Sequence, residues 1–193
     1  ASVIEKDVPF GLLHAVTELT EDAVQRGLAH LQEAEFLYEA RLFPNPEYTF
    51  KHALTHEVTY GTLLQERRKI LHARIVDAIE RSYPDRLTEH VERLAHHAAR
   101  GEMWERAFRY RRQAGAKATA RSANREAVSC FEQALAALSY LSETRETLEQ
   151  AIDLRFDLRT ALFPLGEFER IVVCLREAES LARLLDDQRR LGQ

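Results

Sequence analysis

The 193-residue chain carries 27 Lys and Arg against 31 Asp and Glu, a formal net charge of −4, with 45% hydrophobic and 30% charged residues and only 7 Gly and 5 Pro. This describes a soluble, mainly helical protein with one elongated core or two small ones, and it argues against fibrous, disordered or strongly basic nucleic-acid-binding chains. No apolar run reaches the roughly 20 residues needed to span a bilayer and the N-terminus has no signal-peptide pattern, so a cytoplasmic protein with no membrane partner is expected.

Ala1 to Ile4 is apolar and abrupt, which predicts a chain that starts inside a helix and is a piece of something longer. Pro9 suits a helix start, and Phe10, Leu13 and Val16 follow as a short apolar stripe. Thr20 is placed to cap a second helix with Glu21 and Asp22 in its first turn, and Val24, Leu28 and Leu31 form its buried face. Phe36 to Leu42 reads as a strand, Pro44-Asn45-Pro46 as a turn, and Tyr48 to Phe50 as the returning strand of a β-hairpin.

From Lys51 the pattern predicts one long amphipathic helix, with Leu64, Leu71, Ile75 and Ala78 on one stripe and Arg67, Arg74, Asp77 and Arg81 off it. Pro84-Asp85 ends it. Further helices are expected near Thr88 to Ala99, Met103 to Arg121, Arg125 to Leu141, Thr144 to Phe163 and Glu167 to Leu185. The short breaks between them imply antiparallel hairpins.

A degenerate repeat runs through this part. Ala127, Phe131 and Ala134 are matched 44 residues later by Ile171, Leu175 and Ala178, and Gly166-Glu167-Phe168 stands where tetratricopeptide repeats place a Gly-x-aromatic turn. Trp104, Ala107 and Ala114 form a weaker set, because Arg111 occupies a position where a large apolar residue is usual. The expected fold is mainly α: a partial winged-helix domain over residues 1–66, with its first helix truncated and one β-hairpin, followed over 67–193 by α-α hairpins of tetratricopeptide-like solenoid type. A plain helical bundle would show similar stripes.

Few constellations carry chemistry. His52 and His56 are spaced i, i+4, but Ala53 stands where a zincin helix needs Glu, so they are expected to be surface or packing residues; so are His90, His96 and His97. Cys130 and Cys174 lie among apolar residues and are expected to be buried and reduced. Phosphate-binding Gly-rich loops and a Gly-x-Ser-x-Gly elbow are missing, so no independent enzyme is expected. Arg109, Arg112, Arg121 and Arg125 would line a basic groove for a protein or peptide partner if they face inward. The array is expected to continue past Gln193, and an exposed apolar end would favour a homodimer of the fragment.

The stretch Tyr48 to Ile75, with Phe50-Lys51-His52-Ala53-Leu54 and then Tyr60, Leu63, Leu64, Arg67, Arg68 and Leu71-His72, resembles the segment after the nucleotide-binding core of bacterial STAND ATPases, particularly those fused to class III adenylate/guanylate cyclases. The resemblance begins at Val3 and fades after about Glu80; Glu5-Lys6 departs from it, since relatives commonly have Gly-Arg there. It implies that His52, with Lys51 adding charge nearby, senses the phosphates of ADP bound to an upstream P-loop domain of the same polypeptide. ATP or ADP and magnesium are then expected in the parent protein and no cofactor in this segment. The implied function is non-catalytic coupling between partner binding on the helical repeats and that nucleotide state. The alternative is a winged-helix transcription regulator with a helical effector domain. Glu21, Asp22, Glu33 and Glu35 against Arg26 and His30 on the would-be recognition helix argue against it.

Overall fold

The computed structural model of the protein describes residues 1–41, 46–187 and 190. It is mainly helical with one small antiparallel sheet, and it divides into two compact units, Ala1–Leu87 with Arg100–Glu102, and Thr88–Ala99 with Met103–Gln193.

The first unit runs β1 (Asp7–Pro9), α1 (Phe10–Val16), α2 (Glu21–Glu33), β2 (Leu37–Arg41), β3 (Glu47–Phe50), α3 (Ala53–Thr62) and α4 (Gln65–Ser82). The expected hairpin is thus joined by a third strand, in the order β1-β3-β2 with both pairings antiparallel. Val8 pairs with Tyr48 and Leu37 with Phe50. Thr49, nearly buried, donates its hydroxyl to Asp7 Oδ1 at 2.7 Å and so ties the edge strand to the centre. Pro9 ends this edge strand and at the same time is the N-cap residue of α1: its ψ of 129° is extended and the helix begins at Phe10. An edge strand tolerates proline because its missing N–H faces away from the ladder. Leu42 and the Pro44-Asn45 part of the expected turn lie outside the described residues.

Ala1 to Ile4 forms a single turn, closed by Ile4 N–H to Ala1 C=O at 2.9 Å, where helix was expected; Ser2, Val3 and Ile4 are buried. Thr20 caps α2 through Ala23 N–H. The apolar face of α2 is narrower than its spacing predicts: Val24 and Leu28 are buried, but Leu31 is 38% exposed.

The long helix expected from Lys51 is two helices. Leu63 and Leu64 are both extended, with ψ of 135° and 144°, and Leu64 is 80% exposed where a buried stripe was expected. Arg68 holds the elbow by donating Nε to the Leu63 carbonyl and Nη2 to the Gly61 carbonyl, both at 2.8 Å. Those are carbonyls that the end of α3 leaves without helical partners. Beyond the elbow, His72, Ile75, Val76, Ala78 and Ile79 are buried, and α4 packs against α1. The division between the two compact units falls at Leu87 and Thr88.

In the second unit, after a 3-10 stretch at Pro84–His90, come α5 (Val91–Arg100), α6 (Trp104–Ala120), α7 (Asn124–Leu138), α8 (Arg145–Leu162) and α9 (Phe168–Leu184). Each of α6 to α9 packs most heavily on its neighbour in sequence. Ala127, Phe131, Ala134, Ile171 and Ala178 are all buried, while Leu175 is half-buried. Thr144 and Thr147 form a reciprocal cap that starts α8. Four non-glycine residues, Glu35, Glu102, Ser122 and Asp186, take the left-handed conformation just past helix ends, each with the following N–H bonded back to a carbonyl five residues earlier.

Candidate functional site

The residues singled out for ligand contact meet at the corner where β3 runs into α3. After α2, Glu35 adopts φ 60° and the Phe36 N–H bonds the Leu31 carbonyl at 2.9 Å, so the chain turns sharply into β2. The Lys51 N–H then donates to the Phe36 carbonyl at 3.0 Å, which brings Lys51 Nζ to 2.9 Å from Glu35 Oε2. Lys51 holds the Glu35 carboxyl below its ordinary range.

His52 is the N-cap residue of α3, in extended conformation, and its carbonyl accepts from the N–H groups of Thr55 and His56. Its backbone therefore starts the helix while its imidazole is exposed, with no hydrogen-bond partner among the described residues. An imidazole so placed can donate to an anion or accept from a hydroxyl. The Lys51 charge beside it is largely neutralised by Glu35, so an incoming anion must compete with that carboxylate.

His56 does not join His52 on a helical face, because His52 lies before the helix begins. Its ring stands edge-on to Phe50 at 5.1 Å, and its Nε2 is buried with no hydrogen-bond partner among the described residues. His96 and His97 contact each other edge to face. Among the described residues, no group of three or more His, Cys, Asp or Glu is placed to hold a metal ion.

A second cluster, at the α3–α4 elbow, was read from the sequence only as packing. The Tyr60 hydroxyl and Nε2 of buried His72 are 3.1 Å apart, and the Arg68 guanidinium lies over the Tyr60 ring at 4.7 Å. Arg68 therefore serves two roles at once, closing the end of α3 and covering the aromatic that reaches into the core.

The four arginines proposed for partner binding are split. Arg109 and Arg112 lie one turn apart on α6, whereas Arg121 caps the far end of that helix, 12 residues and about 18 Å further on, beside Arg125 at the start of α7. Arg112 donates Nε to Asp157 of α8 at 2.7 Å, Arg121 pairs with Glu126 at 2.9 Å, and Arg109 lies over the Tyr110 ring. Arg125 is exposed and has no charge partner among the described residues. Arg111 is half-buried against α7, and burial draws its guanidinium below the ordinary value. Cys130 and Cys174 are free thiols, buried and pushed up by that burial.

Among the described residues, no helix is long and apolar enough to cross a membrane. No family model matches the chain and no solved structure does. Over 166 residues, 86% of this chain, it is 30% identical to an uncharacterized protein of Rhizobium meliloti (strain 1021). The chain spans only 16% of the length of that relative.

Proposed function

We propose that this chain is a non-catalytic regulatory and interaction segment of a larger signalling ATPase, one of the cyclase-linked STAND type. It couples partner binding on the helical hairpins to the nucleotide state of a P-loop domain elsewhere in the same polypeptide. The observation that carries this reading is His52: an exposed imidazole with no hydrogen-bond partner among the described residues, near the Glu35 carboxylate and fixed by its own backbone at the point where the sheet enters α3. Two features lend support. The order strand, helix, helix, strand, strand with β3 central is compatible with a winged helix that lacks its first helix, and the pairwise packing of the following helices is compatible with solenoid hairpins. The similarity to a much longer protein accords with a segment that works as part of a larger chain.

The DNA-binding alternative is weaker. Glu21, Asp22 and Glu33 of α2 are exposed, and phosphates would be repelled from that face.

The test is made in the full-length protein. His52→Ala is expected to weaken ADP binding about tenfold or more, the loss of one hydrogen bond to a charged group, and to raise basal ATP hydrolysis. Because the imidazole makes no internal hydrogen bond, the thermal midpoint should not move. Unchanged ADP affinity and basal rate would overturn the reading.

A further inference from the structure

We draw no further inference here: the strongest candidate, the outward surface patch of α3 on which Leu54 and Val58 stand exposed one turn apart and Gly61 follows, is an apolar helix face, and nothing in the structure shows what covers it.

Discussion

Gly115 of α6 lies directly against the Phe131 ring of α7: a methyl group built on Gly115 would come within 2.4 Å of that ring. Phe131 is 3% exposed and has little room to yield. Overpacking of this kind costs about 1–3 kcal/mol, against a gain of about 1 kcal/mol when alanine replaces glycine in a helix. Gly115→Ala is therefore expected to lower stability by about 1 kcal/mol or more in denaturant unfolding, the reverse of its effect in an isolated helix. Adding Phe131→Leu should make the Gly115→Ala step less costly. Additive losses would show that the two residues do not compete for space.

Arg68→Ala removes two hydrogen bonds and the cover over Tyr60 at the elbow between α3 and α4. Amide exchange across residues 53–62 should quicken by about tenfold, from a local loss of about 1–2 kcal/mol, while α6 to α9 keep their protection. Arg68→Lys is expected to rescue little, since an ammonium cannot serve both carbonyls and the ring in one planar arrangement. Uniform loosening of both units would contradict the local role.

Ser122 and Glu102 occupy left-handed backbone, at φ 59° and 54°, where a Cβ is disfavoured. Ser122→Gly and Glu102→Gly should each raise stability by a few tenths to about 1 kcal/mol, read as an upward shift of the thermal midpoint. Glu102 is also paired with Lys69, an exposed contact of small worth, so the gain should be smaller there and should grow as salt is added.

Both thiols are raised above their ordinary value by burial, so the folded chain holds these protons more tightly than the unfolded chain does. Their contribution is fully present below the unfolded thiol range, roughly pH 8.5, and is lost as pH rises through the folded values. Stability should fall on the alkaline side, and Cys130→Ala with Cys174→Ala should flatten that fall. Reaction with a thiol reagent at neutral pH should be slow until the protein is unfolded.

Local periodicity was enough to locate α6, α7 and α9. Ala127, Phe131 and Ala134 share one helical stripe, and burial follows the stripe wherever a second helix lies alongside. Thr20 likewise caps α2 through a bond spanning three residues. The Glu35–Lys51 pair could not be anticipated, because its members are sixteen residues apart and meet only when the turn after α2 sets β2 against β3. Of the His52 corner, the sequence supplied the residue types and the structure their exposure.

The sequence by itself determined a mainly helical chain, its helix order and most of its apolar stripes, since these depend on spacings of three and four residues. Tertiary structure decided the rest. Val8 joins a sheet because β3 offers it an edge, and three residues are too few to show a strand period. Leu64 points to solvent because Arg68 captures the carbonyls of Gly61 and Leu63 and breaks a helix that propensity alone would continue. The need for glycine at 115 arises only because the Phe131 ring stands beside it. In each case the deciding energy comes from a group remote in sequence or from a side chain folding back on its own backbone, which a pattern along one helix does not contain.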